Sequence, residues 1–315
     1  MIEPIRIELP LDVMFNSVNC YLIPGKQLTL VDCGLDTGDN WKNFQNQLKK
    51  QGYLVSDLEQ IVLTHEHRDH IGLLSKIMAA SKATVRAPKA IEGWFRDPET
   101  MKVALLNFLN IRYRLLGFPE NICQKALQFI SNFRSYPRIE EMDRFEFFEE
   151  GDLIEMANTQ WEAVNTPGHC PSQFVFIQEA EQRILSGDML LPITTMPIVS
   201  EDPDNPGQAN RALKELLDSY ARLKPFDFQK VYPGHGAFFT NANKVIDHQL
   251  ARIEKRKAQC LTLYQAGHKT VYDIHQKMYP NHKMPPNFSG IHMIQGYLDL
   301  LFEEQLIPAP LYQPE

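Results

Sequence analysis

The 315-residue sequence has no Cys-x-x-Cys pair, no excess of basic residues and no long apolar run, and each absence closes a class of function. Its five cysteines (Cys20, Cys33, Cys123, Cys170 and Cys260) are scattered and odd in number. That argues against a disulfide framework or a cysteine zinc knuckle and suits a reducing, cytoplasmic compartment. Lys and Arg number 32 against 39 Asp and Glu, a net charge of −7. The chain is therefore no general nucleic-acid binder, although a local basic patch stays open. No stretch approaches the roughly 18 apolar residues of a membrane span. The opening MIEPIRIELPLD carries acids and prolines where a secretory signal carries a basic stretch and an apolar core. No internal repeat is visible. What is present, 43% hydrophobic and 23% charged residues, suits one large globular domain with an appendage or two ordinary domains.

Two short apolar runs around Pro24-Gly25 predict a hairpin, and Trp41, Phe44 and Leu48 predict a helix over 40–51. The strand-like run 61–64 stops at the polar cluster HEHRDH, with a helix expected over 71–80 and a strand over 83–87. This is the rhythm of a layered α/β unit. From about 91 to 138 leucines and aromatics recur at helical spacing, which predicts two or three inserted helices. Strand-like segments return at 151–156, 159–165, 174–177 and 183–186; a helix at 210–223 leads to a last strand at 229–232, ending in PGHG. Beyond 240 the strands thin out and helices are expected at 245–263, 271–279 and 291–304. Residues 1–240 thus read as a strand-rich catalytic unit with a helical insert, and 241–315 as a small helical end domain.

Five of the ten histidines lie in the first 240 residues: His65, His67, His70, His169 and His235. Each sits in a short polar turn after an apolar run, as do Asp69 and Asp188; Asp32 also follows a strand, in LVDCG. In an extended segment His65 and His67, two apart, point to one side and can close on one ion. Asp69 and His70 follow as the chain turns into a helix and can face a second ion. HExxH is not satisfied, because position 69 is Asp, so the helical metalloprotease reading fails. Five imidazoles and two carboxylates over-supply one ion. Two ions about 3.5–4 Å apart, bridged by one aspartate, use all seven donors and leave room for a bridging hydroxide.

THEHRDH (64–70), TPGH (166–169), SGD (186–188) and PGHG (233–236), in this order, resemble the metallo-β-lactamase superfamily, as do VNCYLI and LVDCG near the start. The resemblance covers roughly 1–240 and implies an α+β fold, a four-layer αββα sandwich with the metals at one edge between two sheets. It implies that His65, His67 and His169 hold one metal, that Asp69, His70 and His235 hold the other, and that Asp188 bridges them. Two divalent ions are expected, zinc first, with iron or manganese as alternatives. Asp32 would fix the tautomer of a ligand histidine, and Asp69 would orient the hydroxide and shuttle its proton. The absence of cysteine at position 188 speaks against the β-lactam-resistance branch and for glyoxalase-II-like and lactonase-like hydrolases. The end domain resembles the winged-helix tail of the β-lactamase-like 2 group.

Hydrolysis of a carboxylic ester, thioester or lactone is the first expected function. A phosphodiesterase or endoribonuclease of the β-lactamase-like 2 type is the second, and a mononuclear iron sulfur dioxygenase is the third. Only 46 residues separate Asp188 from His235, too few for the extra domain of large RNA-processing members. The end domain carries eight Lys/Arg against seven Asp/Glu, too balanced to announce a phosphate-binding face. The expected partner is a small-molecule substrate, with an anionic one left open. Nucleic acid is disfavoured, no membrane is expected, and a homodimer is compatible. Glu66 and Arg68 are expected at the solvent or in salt bridges. The insert is expected to face the substrate: Trp94, Phe95, Phe108, Tyr113, Phe118, Phe129, Phe133 and Tyr136 could wall an apolar cleft, although their helical spacing favours core. Arg112 and Arg114 could meet an anion, and the Pro-rich loop 191–207 is expected to edge the site.

Overall fold

The structure, a computed structural model, describes residues 2–11, 15–133, 139–156, 158–280 and 288–312. In chain order the elements are β1 (Ile5–Pro10), β2 (Ser17–Ile23), β3 (Thr29–Val31), α1 (Gly38–Lys50), β4 (Gln60–Val62), α2 (Arg68–Ile71), α3 (Leu74–Ala80) and β5 (Thr84–Pro88). The inserted helices follow: α4 (Glu92–Arg96), α5 (Pro98–Leu115) and α6 (Glu120–Phe133). Then come β6 (Phe145–Phe148), β7 (Leu153–Met156), β8 (Thr159–Asn165), β9 (Phe174–Gln178), β10 (Arg183–Gly187), β11 (Glu201–Asp202), β12 (Asn205–Ala209), α7 (Ala212–Leu223) and β13 (Lys230–Pro233). The chain closes with α8 (Ala242–Gln265), α9 (Val271–Met278) and α10 (Phe288–Glu303).

Two sheets form, one ordered β1-β2-β3-β4-β5-β6 and the other β13-β10-β9-β8-β7, with β11 and β12 as a separate hairpin. Alternate residues of a strand face opposite sides, so each strand feeds two cores. In β2, Tyr21 and Ile23 enter the core between the sheets, while Cys20 and Leu22 enter an outer one. In β9, Phe174 and Phe176 face the inter-sheet core, and Val175 and Ile177 face the opposite outer core. Trp161, Phe148, Leu185 and Tyr232 complete the inter-sheet core. Outside the first sheet lie α1 with Phe44 and Leu48, α3 with Ile77, and α4 with Trp94 and Phe95. Outside the second lie α7, α8 and α10, whose Leu216, Tyr220, Ile253, Ile294 and Leu298 share a core with that sheet. Three cores separating four layers are the expected αββα sandwich. Burial of the apolar surface in these three cores, at about 25 cal/mol per Å², is the main stabilising term.

The insert is not a free wall. Phe108, Tyr113 and Phe118 are buried in the same core as α7 and α10, and Trp94 and Phe95 in the core over the first sheet, while Phe129 is exposed. Tyr136, the side chain of Phe133 and residues 134–138 lie outside the described residues. Arg112, on α5, does not face an open cleft. It stacks on the Tyr312 ring at 4.7 Å and donates to Gln295 Oε1 and the Tyr312 carbonyl, tying the insert to the end of the chain. Arg114 pairs with Glu120. Among the described residues beyond 241 the elements are helices only. No helix among the described residues is long and apolar enough to cross a membrane.

Candidate metal centre

Short strands deliver the donors to one edge of the sandwich. β3 and β4 run parallel, as do β10 and β13, so their chain ends open on the same side. After β4 the chain stays extended through His67 (φ −63°, ψ 142°), which caps α2, and Asp69 and His70 fall in that helix's single turn. Asp188 directly follows β10, and His235 follows β13 by one residue. His169 lies in the turn between β8 and β9. Backbone bonds fasten the ends together: Gly234 N–H donates to the Gly187 carbonyl at 2.7 Å, and Phe174 N–H to the Thr64 carbonyl at 2.9 Å across the two sheets.

All seven residues singled out from the sequence converge. His65, His67 and His169 form one group whose ligand atoms lie within 4.8 Å of one another; Asp69, His70 and His235 form another. Asp188 stands between them. Its Oδ2 is 3.4 Å from His169 Nε2 and 3.3 Å from His235 Nε2, and its Oδ1 is 3.4 Å from His70 Nε2. Asp69 Oδ2 is 3.3 Å from His235 Nε2. His65, His70, His169, His235 and Asp188 are buried, and Asp69 is half-buried.

The outward nitrogens decide which way the lone pairs point. His169 Nδ1–H donates to the Met196 carbonyl at 2.9 Å, and His235 Nδ1–H to the Ser17 carbonyl at 2.7 Å. His70 Nδ1–H donates to Asp32 Oδ2 at 2.7 Å. Asp32, held at φ +58°, also accepts from the Thr64 amide and from the Thr64 hydroxyl at 2.8 Å. With its proton given to Asp32, Thr64 Oγ1 can only accept from His65 Nδ1–H at 2.9 Å. Each of these four rings therefore keeps a proton on Nδ1 and turns Nε2 inward, the nitrogen left to a metal once any proton on it is displaced. His67 differs, presenting Nδ1 at 2.8 Å from His169 Nε2.

This donor set fits a divalent cation. His70 Nε2, His235 Nε2 and Asp188 Oδ1 are buried atoms that make no hydrogen bond among the described residues, an arrangement that costs free energy unless something else satisfies it. The electrostatics agree. Burial disfavours charge on His235, yet Asp188 and Asp69 outweigh it and push the ring up to about 10. Burial likewise opposes charge on His70, but Asp188 and Asp32 hold it well above the ordinary histidine value. Asp188 is held well below the carboxylate range, its burial outweighed by His235 and His70. Asp69 is lowered against its own burial by the neighbouring His235 and His70 rings, and burial lowers His169. Borderline donors around carboxylates that draw positive charge inward suit an ion such as zinc.

Several contributors are silent in the sequence. Thr64 relays between Asp32 and His65, and Phe15 stacks on the His235 ring at 4.1 Å. A Cβ on Gly234 would stand 2.3 Å from Asp188 Oδ1, so only glycine lets β13 approach. Glu66 departs from expectation: it is buried and accepts from the Ser172 hydroxyl, because the extended run His65–His67 turns it toward the β8–β9 turn. The loop after Asp188 does edge the site, through the Met196 carbonyl.

Comparison with known proteins places these features. The family model described as the Metallo-beta-lactamase superfamily matches residues 13–235. The chain is 26% identical to the Bacillus subtilis (strain 168) protein named "Probable metallo-hydrolase YqjP", over 98% of this chain and 94% of that one. It is also similar to an Aspergillus fumigatus atrochrysone carboxyl ACP thioesterase, at 27% identity over 37% of this chain and 33% of that protein. Among solved structures, a metallo-beta-lactamase family protein from Thermus thermophilus superposes with a TM-score of 0.79 at 22% identity, covering 98% of this chain and 96% of the other, a likeness of fold.

Proposed function

The chain belongs to the metallo-beta-lactamase superfamily, and from that premise we propose that it is a hydrolase of a carboxylic ester, thioester or lactone, working with two divalent ions, zinc in the first instance. His65, His67 and His169 would hold one ion, Asp69, His70 and His235 the other, and Asp188 both. When bound, such a pair supplies hydroxide at neutral pH, by lowering the pKa of water from about 15.7 toward 7, and polarises the scissile carbonyl. The chain's residues do the positioning. Asp32, the Met196 carbonyl and the Ser17 carbonyl lock three imidazoles in the Nε2-inward tautomer. Asp69 is the more exposed of the two inner carboxylates, and it orients the attacking water and carries its proton toward the leaving group.

The observation that carries this reading is Asp188: a buried carboxylate whose two oxygens face imidazoles of both groups at 3.3–3.4 Å. The carbon-ester class is supported by the similarity to a fungal thioesterase and by the 46-residue spacing from Asp188 to His235. The five cysteines are all buried and free, which supports a reducing compartment, the cytoplasm. The test is a panel of thioesters, lactones and phosphodiesters run on metal-quantified protein, with His67→Ala as control. Turnover of carbon esters with little salt dependence is expected. Preferential cleavage of phosphodiesters, weakening steeply with ionic strength, would overturn the substrate class.

A further inference from the structure

A cavity of about 140 Å³ lies between residues 194–196 of the loop after Asp188 and helices α8 and α10. It is comparable with the roughly 150 Å³ that suffices for a benzene-sized guest. Its wall includes Met196. The carbonyl of the same residue accepts the His169 Nδ1–H, so one residue links the cavity wall to a ring of the donor cluster. Tyr279, Tyr297 and Met293 provide aromatic and apolar surface.

Two arginines give the cavity its charge. Arg252 and Arg256 stand one helical turn apart on α8 and both line it. Neither forms an ion pair among the described residues. Glu254 and Glu304, the acids at this end of α8, pair instead with Lys257. Like charges at i and i+4 repel and destabilise a helix, and this protein has acids in excess with which to pair them. Arg256 lies over the Tyr279 ring at 5.6 Å and donates to Gln259 Oε1 at 3.1 Å, which holds its fork near the cavity. Paired guanidinium forks beside aromatic rings match a carboxylate or phosphate carried on a small apolar group.

We propose that this cavity binds the anionic end of the substrate, and that the substrate is an ester or thioester bearing a carboxylate or phosphate on a group about the size of a benzene ring. The reaction part rests on the hydrolase reading above; the affinity for anions does not. The test therefore has two arms. In the first, benzoate and phenyl phosphate are titrated calorimetrically into chelator-stripped protein, so that no ion contributes. Binding is expected, weakened on the order of 10- to 100-fold by Arg252→Gln or Arg256→Gln and partly restored by the corresponding lysine variants; the tighter probe identifies the anion. Absence of binding, or equal binding to the Arg252→Gln/Arg256→Gln double variant, overturns the proposal. In the second arm, metal-loaded protein is given aryl esters with and without the preferred anionic group. The arginine variants are expected to raise KM for the charged ester and to leave the neutral one unchanged. Equal loss on both esters overturns the proposal. Arginine-dependent benzoate binding without turnover of any ester keeps the cavity and removes the reaction class instead.

Discussion

Lowering the pH from about 7.5 to about 5 is expected to cost this fold about 2 kcal/mol through one ring, His292. It is buried on α10, where its Nδ1 accepts the Val199 N–H at 3.1 Å. Burial, and after it the positive charge of Arg112, hold its pKa down to about 3. In the unfolded chain the ring titrates near 6.5. The folded value is the depressed one and the neutral ring is the form the fold accepts, so this stability is fully present above about pH 6.5. It is lost as pH falls toward 3, at about 1.4 kcal/mol per unit. The loss reaches the His/Asp cluster, because Val199 belongs to the loop in which Ile198 N–H donates to the Gly168 and His169 carbonyls and Met196 holds the His169 ring. Urea unfolding of chelator-stripped wild type and of His292→Asn, whose amide oxygen can still accept from Val199, separates this ring from the metal-facing ones. The variant is expected to be less stable at pH 7.5, with a gap that narrows by about 2 kcal/mol at pH 5. A gap that does not change with pH would refute the reasoning.

Asp32→Asn keeps the shape but weakens the acceptor of both His70 and Thr64, and is expected to lower metal affinity about 10- to 100-fold in competition with a chromophoric chelator. Gly234→Ala drives a Cβ onto Asp188, so the purified variant should retain its circular dichroism but lose bound metal. Metal binding must displace the protons that Asp188 and Asp69 draw onto His235, up to a pKa of about 10. Apparent affinity should therefore rise with pH by at least about tenfold per unit between about pH 6 and 9; titrations in buffers of differing pH would reveal a flat profile if the ring bound no ion.

The convergence of the histidines and aspartates is legible in the sequence because each stands at the end of an apolar run, and chain ends of parallel neighbouring strands must open on one side. The layered fold is legible for the same reason, since short runs such as Ile61-Val62-Leu63 and Ile184-Leu185 put apolar residues on both faces of a strand and so must be covered on both. What is not legible depends on tertiary approach. Thr64 becomes a relay only when Asp32 is brought beside it, and Gly234 is obligatory only because Asp188 packs against it. Glu66 reads as a charged surface residue until the turn carrying Ser172 closes over it. Strand β1 alternates Ile7 and Leu9 with exposed Arg6 and Glu8, a period-2 signal masked by its flanking prolines. Strand β6, FEFF, is too short for periodicity to show. Arg112 could not be separated from a solvated arginine without the ring of Tyr312, 200 residues later.

Whether two ions sit among these rings is decided by elemental analysis of purified, zinc-supplemented protein at neutral pH, alongside His67→Ala. Close to two equivalents of zinc per wild-type chain are expected, with a clear loss of metal and of turnover in the variant. About one iron per chain, or metal content and turnover untouched by His67→Ala, would contradict the dinuclear hydrolase.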